Sequence, residues 1–79
     1  MSDYVSIACI EHERLEFAVL RRQKLVLSCI DADGAVQVLT VLPTDVATRD
    51  QAEWLSYRDA AGMAGVVRLD RIQSFRPAE

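Results

Sequence analysis

The stretch Leu25-Val26-Leu27-Ser28-Cys29-Ile30-Asp31-Ala32-Asp33-Gly34-Ala35-Val36-Gln37-Val38-Leu39-Thr40-Val41-Leu42 decides the fold. From Leu25 the side chains alternate with period two, placing Leu25, Leu27 and Cys29 on one face and Val26, Ser28 and Ile30 on the other, as in a β-strand. The run stops at Asp31-Ala32-Asp33-Gly34, where Asp-Gly tolerates the positive φ of a tight hairpin. A second strand, 35–42, then pairs antiparallel with the first. Its apolar content on both faces (Val36, Val38, Leu42; Leu39, Val41) predicts a strongly bent strand serving two sides of one core.

Pro43 lacks the N–H of a ladder bond, and 43–50 is polar, so pairing weakens or turns a corner there. A strand over 53–59 follows, with Trp54, Ser56 and Arg58 opposite Leu55 and Tyr57; one of the two aromatics belongs to the core and the other is an exposed candidate anchor. Ala60-Ala61-Gly62 reads as a turn into 65–69, with Val67 and Leu69 inward. Ile72 and Phe75 fall out of step with that strand, and a kink near Asp70-Arg71 restores the faces and brings in a short last strand. Upstream, 10–22 carries both an alternating pattern (Leu15, Phe17, Val19) and a run of helix formers free of Gly and Pro. Glu11, Glu13 and Glu16 suit a helix N-terminus. The expectation is a helix of about three turns, in line with mean helix length, with Leu15, Ala18 and Val19 buried. The fold class is thus mainly β with one short N-terminal α-helix, forming a strongly bent antiparallel barrel or sandwich.

The 79 residues allow one domain over 1–79, with one shared core and no interdomain cleft. An apolar fraction of 51% suffices for that core, and 27% charged residues match an ordinary globular chain. The net charge of −3 opposes a phosphate backbone, so direct nucleic-acid binding is not expected. A positively charged protein is the partner that such a surface implies. Two cysteines and the start Met-Ser-Asp-Tyr predict a cytoplasmic chain with reduced thiols, and no apolar run reaches membrane-spanning length.

No constellation suits catalysis. Cys9 and His12 have a metal-like spacing, yet a closed zinc site needs about four ligands and the chain has one other Cys and no other His. No third residue is placed to orient a Cys–His nucleophile pair. The three glycines, at 34, 62 and 65, make no phosphate-cradling loop. No enzyme activity, metal or cofactor is expected. The densest charge is the acidic run Glu11, Glu13, Glu16, broken only by Arg14. It reads either as a solvated helix face with an i,i+3 pair or as an acidic docking surface, to which Asp31 and Asp33 add if the hairpin tip lies nearby. Arg21, Arg22 and Lys24 read as a solvated basic turn.

The ordered series Ile7-Ala8-Cys9, acidic positions before Leu15-Glu16, Asp31-Ala32-Asp33-Gly34, Asp45, Thr48-Arg49, Glu53-Trp54-Leu55 and Val67-Arg68-Leu69-Asp70-Arg71-Ile72-Gln73-Ser74-Phe75 resembles the Rho-binding antiterminator family, Rof or YaeO. The resemblance spans about 4–75. It implies an Sm-like fold, and a function: inhibiting transcription termination factor Rho by binding its N-terminal RNA-binding domain, which blocks RNA loading. Carried over by position, it implies a partner-binding surface of Glu11, His12, Glu13 and Glu16, with Thr48 and Arg49 as a second patch; the chain itself is expected to be a monomer. The chain departs from the family pattern at Ser6, where a Pro is usual, and at Ile10 to Glu13, where Asp and Tyr are usual. An Sm-like RNA-binding module, or a protein-interaction domain with a different partner, are the alternatives.

Overall fold

The computed structural model describes residues 9–78, and Ile7 and Ala8 of the resemblance lie outside them. Helix α1 (Cys9–Arg21) is followed by β1 (Leu25–Ile30), β2 (Val36–Arg49), β3 (Ala52–Asp59), β4 (Ala64–Arg68), a 3-10 turn (Leu69–Arg71) and β5 (Ile72–Pro77). All ladders are antiparallel, in the sheet order β4-β3-β2-β1-β5. The chain is thus mainly β with one N-terminal helix and a five-stranded antiparallel sheet, the fold class expected from the sequence.

The helical reading of 10–22 holds, because α1 buries Leu15 and Ala18 and packs half-buried Val19 against the same core. The helix ends in a Schellman cap. Arg22 takes φ 54°, its N–H donates to the Val19 carbonyl (3.2 Å), and the Gln23 N–H donates to that of Ala18 (2.9 Å).

The two hairpin tips share one design. Asp31 Oδ1 accepts from the N–H groups of Asp33 (2.9 Å) and Ala35 (3.0 Å). Likewise, Asp59 Oδ1 accepts from Ala61 (2.9 Å) and Met63 (3.0 Å). Each tip then places a glycine, Gly34 or Gly62, at φ 82°, where a side chain would be strained. An Asp followed three residues later by Gly thus encodes both the β1–β2 and the β3–β4 turns.

The segment 43–50 does not leave the sheet. A corner does form at Pro43, where a bulge shifts the register between Pro43 and Asp45, but β2 then continues to Arg49. Its first half pairs with β1, from Val36↔Ile30 to Val41↔Leu25, and its second half with β3, ending at Arg49↔Ala52. The missing N–H of Pro43 falls at the bulge, where the ladder is interrupted anyway. The β2–β3 turn is two residues, Asp50 (φ 51°) and Gln51 (φ 61°), so both central residues are left-handed without a glycine.

Beyond β4, the predicted kink is the 3-10 turn, which buries Leu69 and is braced by Arg68 Nε donating to Asp70 Oδ1 (2.6 Å). Arg68 and Asp70 are therefore partly buried in a pair, where the alternation placed them facing solvent. The turn carries the chain across to β1, so that Phe75 pairs with Leu27 and β5 forms one edge of the sheet while β4 forms the other. Leu15, Ala18, Leu25, Leu27, Cys29, Val41, Leu55 and Leu69 make the core. Both aromatics of β3 are half-buried: Tyr57 packs on the core and lies over Gly65, its cross-strand partner.

Candidate protein-binding surface

Packing α1 through Leu15 and Ala18 turns the opposite side of the helix outward. Glu11, Glu13 and Glu16 are all exposed. Ile10, Phe17 and Leu20 share that outer side with Glu13, at the spacing i, i+3, i+7 and i+10 that aligns one helical stripe, and they are 68, 55 and 77% exposed. An apolar ridge this open on a small domain has the chemistry of an interface centre, and the carboxylates beside it have that of a rim.

His12 turns the other way, toward the sheet. Its Nδ1 lies 2.6 Å from Glu16 Oε1 and its Nε2 lies 2.5 Å from Glu53 Oε2. The ring thus lies between the two carboxylates, clasps α1 to β3 and adds Glu53 to the acidic group. Asp45, on β2, lines the same concavity as Glu16, Val19, Leu20 and Val46. Sequence reading had not placed Asp45 or Glu53 at this site, because no local pattern links either to the helix.

The remaining predicted residues divide. Thr48 pairs with Glu53 across the β2–β3 ladder, so the register brings it beside the His12 clasp. Arg49 is occupied elsewhere: its guanidinium sits over the Trp54 ring (5.4 Å to the centroid), and its carbonyl accepts from Trp54 Nε1 (3.1 Å). Asp31 is committed to its own turn and to Gln37 Nε2 (3.3 Å). The i,i+3 pair Glu11–Arg14 does not form among the described residues, because Arg14 reaches over the Phe75 ring instead (5.2 Å).

The cysteines match no nucleophile arrangement. Cys29 is buried in the core, and burial pushes its thiol above the ordinary range, which favours the unreactive protonated form. Cys9 is exposed at the helix start, and His12 has both ring nitrogens engaged by carboxylates. Among the described residues no helix is long and apolar enough to cross a membrane.

No protein-family model and no curated protein matches the chain. Among solved structures, proteasome accessory factor B/C (PafBC) of Arthrobacter aurescens superposes with a TM-score of 0.77 at 19% identity. The match takes in 91% of this chain and 12% of that one, so the chain spans about an eighth of the PafBC length. XC5848 of Xanthomonas campestris, described as a novel variant of the Sm-like motif, aligns over 100% of both chains at 20% identity with a TM-score of 0.46. At these identities the likeness is one of fold.

Proposed function

We propose that this chain is a non-enzymatic protein-binding module that engages the N-terminal RNA-binding domain of transcription termination factor Rho through the outer face of α1, and so prevents RNA loading. One observation carries the reading: the exposed ridge Ile10, Phe17, Leu20, which shares its stripe with Glu13 and is bordered by Glu16 and Asp45. A surface built to accept RNA is basic, and an acidic partner surface meets it by charge complementarity. The ridge supplies what charge alone does not, an apolar centre that gains from leaving water. The sequence resemblance names the partner, and the His12 clasp holds the face rigid against β3, which lowers the entropy cost of docking.

The test is a calorimetric titration of purified Rho with wild type and with a Glu11→Lys/Glu13→Lys variant. Both glutamates are exposed and make no ion pair among the described residues, so the variant keeps the fold. Wild-type binding that the variant loses by about tenfold or more, equivalent to ~1.4 kcal/mol, supports the proposal. Equal binding by both would move the site off α1. Absence of wild-type binding would remove Rho as the partner, and a salt-sensitive shift of oligonucleotide by wild type would favour the Sm-like RNA module instead.

A further inference from the structure

The other flank of α1 has the opposite chemistry. Between α1 and β5 runs a groove of about 300 Å³, floored by Ala18, Leu25 and Pro77 and walled by the rings of Phe17 and Phe75. Arg14 and Arg21 stand on its lips. Each covers one ring, Arg14 over Phe75 (5.2 Å) and Arg21 over Phe17 (5.6 Å). Neither makes an ion pair among the described residues. Cation–π stacking uses the face of a guanidinium and leaves its N–H edge free. Two guanidinium edges with no ion pair among the described residues, set beside an apolar slot, form a receptor for carboxylates, which arginine takes two oxygens at a time.

We propose that this groove binds an extended acidic peptide segment of another protein, with one apolar side chain in the slot and flanking Asp or Glu carboxylates on Arg14 and Arg21. The volume lies at the small end of ligand sites and suits one Leu-sized or Phe-sized anchor. Two features favour a peptide over a single-stranded nucleic acid. Stacking of bases needs open aromatic faces, and here an arginine caps each ring. The groove also borders β5, an edge strand whose outward N–H and C=O groups can hydrogen-bond to a peptide backbone. A second copy of this chain is a poor occupant, because its own acidic and apolar residues at 10–20 are folded into a helix rather than extended. The groove shares Phe17 with the apolar ridge but takes its charge from Arg14 and Arg21 in place of Glu13 and Glu16, so the two flanks of one helix would serve partners of opposite charge.

The probe is the peptide Ac-Asp-Glu-Leu-Phe-Asp-Glu-NH2, titrated into the isotope-labelled full chain by NMR, with Ac-Lys-Lys-Leu-Phe-Lys-Lys-NH2 and a uridine oligonucleotide alongside. Saturable shifts confined to Arg14–Gln23 and Phe75–Ala78, given by the acidic peptide only, are expected. An Arg14→Gln/Arg21→Gln variant is expected to weaken binding by about tenfold or more, the effect of losing charge-assisted contacts. A Phe17→Ala variant, altered at a half-exposed position and so able to fold, weakens binding while leaving its salt dependence unchanged. The proposal is overturned by no saturable binding up to about 1 mM, the weak end of specific association. It is equally overturned by unchanged affinity in the arginine variant, by shifts mapping to Glu11, Glu13 and Glu53, or by tighter binding of the oligonucleotide. The Arg14→Gln/Arg21→Gln variant leaves Ile10, Leu20 and the carboxylates of the ridge intact, so its outcome is distinct from that of the Rho titration, whereas Phe17→Ala alters a side chain common to both surfaces.

Discussion

Replacing Gly65 with alanine isolates one packing decision in the sheet. Gly65 pairs with Tyr57 across β3 and β4, and the tyrosine ring lies over it. A Cβ at residue 65 would stand 2.6 Å from Tyr57 Cζ and 2.7 Å from its oxygen, far inside van der Waals contact. Gly65 is not at positive φ, so alanine strains no backbone. Restricting the unfolded chain then stabilises by about 0.4–1 kcal/mol. Against this, overpacking costs about 1–3 kcal/mol, because the half-buried ring has to leave its place on the core. The difference predicts that Gly65→Ala loses about 1–2 kcal/mol, roughly 5–15 °C of melting temperature for a chain this size. In a Tyr57→Ala background the clash vanishes and the same change should be neutral or stabilising. Thermal and urea unfolding of the four proteins of that cycle give the coupling directly. A second readout is the Tyr57 phenol, held above its ordinary range first by burial and then by the negative charges of Cys29 thiolate and Asp59. Displacing the ring toward water should bring its ionisation back down in a spectrophotometric titration. Stabilisation of the wild-type background by Gly65→Ala would refute the reasoning.

Native protein should present one fast thiol to a disulfide reagent, Cys9, while Cys29 reacts only as the core opens; equal rates would contradict the burial of Cys29. Because the folded state holds the Cys29 and Tyr57 protons more tightly than the unfolded state does, folding stability should fall as pH rises past the ordinary thiol and phenol ranges, visible as a falling urea midpoint in alkali. Asp59→Ala strips the acceptor from the Ala61 and Met63 amides and should cost about 0.5–1.5 kcal/mol, with faster hydrogen exchange at Met63. An unchanged Met63 exchange rate would show that the carboxylate does not hold that turn.

What could be read in the sequence was what is decided locally. The β1–β2 hairpin announces itself because Asp31 and Gly34 are the residues its turn needs, and the kink at Asp70-Arg71 shows as a slip in apolar phase between Leu69 and Ile72. Of the two patterns in 10–22, the helix wins because it alone puts Leu15 and Ala18 together on the core. The second half of β2 was hidden by composition. Pro43 reads as a strand breaker until a bulge absorbs its missing donor, and Asp50-Gln51 makes a tight turn without the glycine that marks such turns. In the same way Glu11, Glu13 and Glu16 were legible as exposed acidic positions of a helix. Glu53 reaches His12, and Thr48 comes beside it, only through pairing of distant strands, which no local pattern records.

The two Asp-to-Gly hairpins also set an order of assembly. Each joins neighbouring strands through a few residues, and such closures take microseconds. The β1–β5 ladder joins Leu25 to Pro77 across most of the chain, so its loop-closure entropy is the largest in the fold and its contacts form late. Like β4, β5 is tied to the sheet along one side only, so its release breaks a single ladder. The groove beneath Arg14 and Arg21 has β5 as one wall, and so it exists only once the last strand has docked. Any ligand seated there would bind the finished protein alone and would slow the step by which it begins to come apart.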